Sequence, residues 1–449
     1  MTSLGATSLW WIRRDARLAD NPALLEAQAD GLAAAVFPWS PPLVHWSGRR
    51  RAHLARVLWS LREDTNGAVA VRQGTPADVV LAAASEIGAR VVWAQREYSP
   101  SGIREQDAVA AALEADGREL RFTGSPYAVA PGRVLKGDGT EFRVFTPFSK
   151  AWLAHGWRAP ATDSDPSRFA RLTSDVDLDL IAASADAADP LGYPMPFTER
   201  AWLERLEDFV AGPLAQYSAE RDTPAQDVTS KLSVPLAWGQ IHPRTILAAA
   251  RAAAEAKPDL AKASAKFVSE VAWREFHADV LFHHPRAMRE SLNPVLPDDF
   301  WASGADAERA FAAWCAGETG FPLVDAGMRE MRATGMMHNR VRMVVASFLI
   351  KDLHLPWQRG AEYFKRMLLD YDHAQNQLNW QWVAGTGRDA APYFRVFNPD
   401  GQAEKFDGER TYIRRWVPDV ETPAYPERIV DHAVEREVAL AAYQRARGK

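Results

Sequence analysis

The chain has 449 residues, 47% hydrophobic and 25% charged, enough to bury a large core and divide into two or three domains. Its only cysteine, Cys315, excludes a disulfide framework, a cysteine-ligated zinc site and an iron–sulfur cluster; no metal is expected, and redox chemistry has to come from an organic cofactor or aromatic side chains. Lysine and arginine total 53 against 58 acidic residues, a net charge of −5 that argues against a nucleic-acid partner for the chain as a whole but not for a local basic face, such as the segment from Arg329 to Arg366. No apolar run is long enough to cross a bilayer, and MTSLGATSLWW has neither region of a signal peptide, which points to a cytoplasmic location.

From the N-terminus, Ser8 to Ile12, Leu32 to Phe37, Ala68 to Arg72 and Arg90 to Ala94 read as strands. Between them Pro22 to Ala29, Arg49 to Glu63, Pro76 to Ile87 and Gly102 to Ala115 have helical apolar spacing. This alternation predicts an α/β fold class, with a Rossmann-like parallel domain over residues 1–127. Residues 128–197 collect Gly, Pro, Asp and Ser, notably in Pro160 to Pro166 and Asp186 to Pro196, and read as a long linker. Beyond Thr198 helical periodicity takes over, predicting an all-α domain over 198–449.

Three clusters carry chemistry. In Met337 to Met343, positions Asn339, Arg342 and Met343 fall at i, i+3 and i+4 and share a helix face, which lines a cavity or is a solvated flank behind a His–Asn cap. In Leu369 to Asn376, Asp370 and Asp372 offer carboxylates and Asn376 an amide, suited to a redox heterocycle or simply to capping a helix. Thr229-Ser230-Lys231-Leu232-Ser233 offers hydroxyls, backbone N–H groups and a cation to phosphates, or caps a helix start. Trp380 and Trp382 stand two apart, so their indoles diverge: one toward a cofactor and one into an open pocket, or both into the core.

In this order the motifs resemble the photolyase and cryptochrome family, and within it the class I cyclobutane pyrimidine dimer photolyases. The resemblance runs from Leu9-Trp10-Trp11-Ile12-Arg13-Arg14-Asp15 and Asp20-Asn21-Pro22, through Arg96-Glu97-Tyr98 and Val144 to Phe148, to Thr319-Gly320-Phe321-Pro322 and Asn398-Pro399. It implies that the helical domain binds FAD. Tyr217, Thr229 to Ser233 (with Lys231 and Leu232) and Arg274 would serve the pyrophosphate region, Arg342 and Asp370 would pair beside the flavin with Tyr371 between the acids, Asp372 would contact the ribityl or adenosine part, and Asn376 would face N5. It implies ultraviolet-damaged DNA as partner, with Arg221, Glu270, Trp273, Asn339, Arg340, Met343, Trp382 and Gln402 at an extruded dimer. The implied reaction is repair by electron transfer from photoexcited reduced FAD. Trp380, Trp357 and then Trp301, with Trp314 as the alternative, would relay electrons to the resting flavin.

The resemblance further implies a monomer, nucleoid-associated when on DNA, with a second antenna chromophore, a deazaflavin or methenyltetrahydrofolate, bordered by Pro38 to Pro42 and Gly48 to Arg51. Departures from the family pattern are Lys231, Phe267, Met336, Tyr371 and Gln377-Leu378-Asn379. Asn339 and Met343 stand where eukaryotic (6-4) photolyases carry histidines, which disfavours that lesion. A cryptochrome that signals without repair is the alternative from another functional class.

Overall fold

The computed structural model describes residues 8–181, 195–389 and 395–448. Five strands, β1 (Ser8–Trp11), β2 (Ala33–Trp39), β3 (Val69–Gln73), β4 (Val91–Ala94) and β5 (Glu119–Phe122), form a parallel sheet in the order β3-β2-β1-β4-β5. The central strand β1 is buried throughout, with Leu9 opposite both Ala34 and Val92. That burial explains its unbroken apolar sequence, the mark of a parallel strand covered on both faces. Helices Pro22–Gln28, Gly48–Asp64, Pro76–Glu86 and Pro100–Ala115 begin behind side-chain caps from Asn21, Ser47, Thr75 and Ser99, and three of the four have proline in the first turn. The edge strand β5 was not expected: Glu-Leu-Arg-Phe alternates exposed and half-buried positions and has no apolar run.

Where it is described, the segment read as a linker runs over the surface and is anchored at a few buried points. It contains the helix Phe145–His155, whose Trp152 is fully buried. Phe169 bridges Ala33 in parallel fashion, and the Ser174 hydroxyl both accepts from Val71 N and donates to Val71 O. Its composition is that of a surface strap held at intervals by hydrogen bonds; most of Asp186 to Pro196 lies outside the described residues.

Among the described residues beyond 195 there are helices and no strands. The 23-residue helix Ala261–His283 is the spine, packing on Leu214–Glu220, Pro243–Ala256, His373–Ala384 and Phe145–His155. From it the buried Glu275 carboxylate accepts from Ala128 N, Val129 N and Trp152 Nε1, tying the strap down.

The α/β and helical parts meet at the exit from β1. Buried Arg17 donates to Gly239 O at 2.8 Å, Asp20 pairs with Arg244 at 2.5 Å, and Glu199 accepts from Leu18 N and Ala19 N. Gly239 has φ of +76°, and a Cβ there would lie 1.9 Å from Arg14 O, so only glycine permits this approach.

Candidate active site

The helices enclose a cavity of about 1280 Å³. Four stretches of sequence build most of its wall. Glu270, Trp273 and Arg274 project from the spine at i, i+3 and i+4, one face of that helix. Glu270 pairs with Arg221 and, at 2.9 Å, with Lys266. Trp273 is stacked on Phe145 of the strap at 3.7 Å with the rings 9° apart.

The second stretch is the loop Thr229 to Ser233, which with Tyr217 lines one side. Lys231 adopts a left-handed conformation, φ +58°, and pairs with Asp227 at 2.8 Å. The third is the start of helix Asn339–Lys351, where His338 caps through Nδ1 and Asn339, Arg340, Arg342 and Met343 all reach the cavity. Val341, Val344 and Val345 of the same helix are buried in the core, so the two faces divide as the spacing predicts.

The fourth stretch is Asp370 to Asn376. Arg342 Nη2 donates to both oxygens of Asp370, at 2.9 and 3.1 Å. Asp372 caps helix His373–Ala384 by accepting from Ala374 N and Gln375 N. Burial opposes charge on Asp372, but Arg14 and Arg274 outweigh it and hold the carboxyl well below the usual range. The Asn376 amide donates to Ala361 O at 3.0 Å and to Gln377 Oε1 at 2.7 Å. Tyr371, between the acids, bonds His373 at 3.0 Å and lies under the Arg50 guanidinium.

Trp380 and Trp382 both line the cavity and diverge. Trp380 is buried, edge-on to Phe364 at 5.0 Å and to Trp314 at 6.3 Å; Trp382 is half-buried and donates to Asp389 O. Three expected site residues stand off the wall. Trp357 is buried behind it, donating to Ser291 Oγ; Trp301 is half-buried against Phe300; Gln402 lies on helix Pro399–Phe406. Trp314 is fully buried. Of the departures, Phe267 packs between Phe209 and Tyr217, and Gln377 donates to Met288 O.

The basic segment from Arg329 to Arg366 is engaged in ion pairs in the free protein. Arg329 pairs with Asp419, Arg340 with Asp222, Arg359 with Glu308 and Lys365 with Glu362, while Lys351 is buried. Of that segment's cations only Arg340 and Arg342 line the cavity. The segment spans three helices, Pro322–Thr334, Asn339–Lys351 and Trp357–Met367.

The cavity's chemistry fits FAD: it has room, an aromatic wall, an ion pair beside the acid cluster, and a buried donor, Arg274 Nη2, without a hydrogen-bond partner. A second cavity, of about 250 Å³, opens beside β1 and is lined by Trp11, Phe37, Pro38, Ser40, Trp46, Arg50 and Trp238 among others. Trp238 Nε1 and Arg50 Nε are buried there without partners.

Sequence reading missed four contributors: Phe145, the His277–Gln375 pair at 3.0 Å, Glu330 held by the Tyr412 hydroxyl, and Arg14. Each acts through a partner distant in sequence, so local spacing carried no signal; only Arg13-Arg14-Asp15, a charged exit from a buried strand, hinted at one.

Fold and site together define a two-part flavoprotein-like architecture, an α/β domain strapped to a helical domain whose cavity suits FAD. Residues 8–167 match the family model described as DNA photolyase, and residues 267–424 match the one described as the FAD binding domain of DNA photolyase. A deoxyribodipyrimidine photo-lyase of Agrobacterium fabrum is 36% identical over 96% of each chain. A crystal structure described as a bacterial class III photolyase from Agrobacterium tumefaciens superposes with a TM-score of 0.85 at 35% identity, covering 100% of this chain and 99% of that one. An archaeal photolyase from Sulfolobus tokodaii with two FAD molecules gives 0.79 at 27% identity, covering 98% and 99%. The chain belongs to the DNA photolyase family. The likeness extends to a class III member, so it does not single out class I.

Proposed function

We propose that the protein repairs cyclobutane pyrimidine dimers in DNA under blue light. The observation that carries this reading is that one cavity gathers the flavin-type set (Arg342, Asp370, Asp372, Asn376) and the lesion-type set (Glu270, Trp273, Asn339, Met343, Trp382) on a continuous wall. When bound and reduced, FAD supplies an electron on excitation by light and takes it back after ring opening. The chain's own residues do the rest. Both amide hydrogens of Asn376 are committed to Ala361 O and Gln377, so this side chain offers the cavity an acceptor, matched to a ring nitrogen that carries a proton. The Arg342–Asp370 pair, one guanidinium nitrogen shared between both carboxylate oxygens, fixes a dipole at the ring edge. Trp273, pinned by Phe145, and Trp382 supply flat apolar walls for an extruded dimer. Glu270 accepts from a pyrimidine edge once Arg221 turns to a phosphate; the two are paired in the free protein.

Trp380 at the wall, buried Trp357 and half-buried Trp301 make the relay from cavity to solvent. Full burial of Trp314 favours Trp301 over it as the outer member. The smaller cavity is our site for a second chromophore, a planar deazaflavin or methenyltetrahydrofolate, whose acceptor atoms would meet Trp238 Nε1 and Arg50 Nε.

The test is recovery of thymine absorbance in a dimer-containing oligothymidine by the photoreduced protein. Recovery in blue light and not in darkness, abolished in Trp382→Ala, supports repair. A yellow, photoreducible protein that leaves the dimer intact refutes it and supports the cryptochrome reading, while activity on a (6-4) product alone reassigns the lesion.

A further inference from the structure

The two cavities share a wall. Ala237, Tyr371 and Asp372 line both, and from the α/β side Arg50 covers Tyr371 while Arg14 grips the other two. Arg14 itself lines the smaller cavity. Its Nη2 donates to Asp372 at 2.5 Å, its Nε to Ala237 O at 3.3 Å, and its Nη1 lies 3.5 Å from Glu97. The contact to Asp372 reaches the cap of the helix that carries Asn376, Trp380 and Trp382. The contact to Ala237 reaches helix Ser233–Trp238, which follows directly on the Thr229 to Ser233 loop. One guanidinium thus holds two of the elements that the flavin assignment above relies on, and holds them from inside the other pocket.

Resting on that assignment, we infer that Arg14 is a positioning residue that couples the two cavities, so that filling the smaller one with a planar chromophore tightens FAD in the larger one. The physical basis is water exclusion. The Arg14 side chain keeps 18% of its exposure, and the smaller cavity that it lines is where an occupant would cover it. An occupant there displaces water from beside the Arg14–Asp372 pair, and a drier pair is stronger and more rigid. A more rigid Asp372 holds the shared wall in the geometry that FAD requires, and the coupling must be reciprocal.

The experiment measures the FAD dissociation constant of the full-length protein by flavin fluorescence, alone and with saturating deazariboflavin or methenyltetrahydrofolate as probe. The expected result is FAD affinity raised about fivefold or more by one of the probes, and that probe's affinity raised by the same factor by FAD. In Arg14→Gln the factor falls to near one, and Arg14→Lys, which keeps the charge at Asp372, restores part of it. A residue that merely supports the fold would lower FAD affinity equally with and without probe, so Arg14→Gln with an undiminished factor overturns the proposal. So does a wild-type protein whose FAD affinity neither probe changes, which needs no variant to fold. A protein that binds no FAD at all defeats the flavin assignment itself, an outcome distinct from loss of coupling.

Discussion

Gly360 holds the place of Trp380. A Cβ at Gly360 would lie 2.1 Å from Trp380 Cη2, and Gly360 sits one helical turn beyond Trp357, so this bare backbone lets the cavity-wall indole press against the helix of the next one. Gly360→Ala is expected to push Trp380 off its seat, destabilising the protein by about 1–3 kcal/mol. Photoreduction of bound flavin should slow severalfold. Urea unfolding and the rate of flavin bleaching under blue light check the two effects; unchanged bleaching would show that the relay does not pass through this contact.

Asp372→Asn separates two jobs. Asparagine caps a helix as well as aspartate does, so Ala374 N and Gln375 N keep an acceptor. What is lost is the charge facing half-buried Arg14, which keeps only the more distant Glu97, and losing a charge-assisted hydrogen bond of this kind costs about 1.5–3 kcal/mol. The double variant Arg14→Gln/Asp372→Asn should recover a good part of that loss. A denaturation-based double-mutant cycle with no interaction energy would contradict this reading.

His53 gives the stability a pH dependence. Burial, helped by Arg56, pushes its imidazole down to about 3, and its Nε2 has no hydrogen-bond partner. The folded protein therefore binds fewer protons at His53 than the unfolded chain between about pH 3 and pH 6.5, and stability is lost as pH falls through that window. His277, His338 and His373, each lowered by burial to about 4, act in the same direction. His53→Phe should reduce the stability lost between pH 7 and pH 5 by about 2 kcal/mol. Urea titrations at the two pH values measure it, and an unchanged loss would exclude His53 as a source.

Arg340 bears on DNA grip. It pairs with Asp222 at 2.9 Å and lies over Phe406, at the cavity wall. If it exchanges Asp222 for a phosphate, Arg340→Ala should weaken damaged and undamaged DNA alike and reduce the salt slope of binding by about 1. Equal slopes for variant and wild type would place Arg340 outside the phosphate contacts.

How much of this was legible follows from the range of each interaction. The first four strands and their helices announce themselves through apolar runs, prolines and caps that lie within a few residues of each other. Asn339, Arg342 and Met343 share a face because helix geometry is local, and the Arg342–Asp370 pair was readable as a family pattern. The seat of Trp273 on Phe145 was not readable from spacing, since the two are joined only through the packing of the strap. Nor was Arg14, whose neighbours in sequence all turn elsewhere: Arg13 toward Gly102 O and Gln106, Asp15 toward Trp10.

The span between Arg14 and Asp372 also sets a problem for the ribosome. The arginine is made 358 residues before its carboxylate. At about 5–20 residues per second, it waits roughly 20–70 s for that partner. Arg17 and Asp20 likewise wait for Gly239 and Arg244. The α/β part thus leaves the exit tunnel with charges it cannot yet bury: Arg17 and Asp20 stay hydrated until the middle of the chain is made, and Arg14 until its last third.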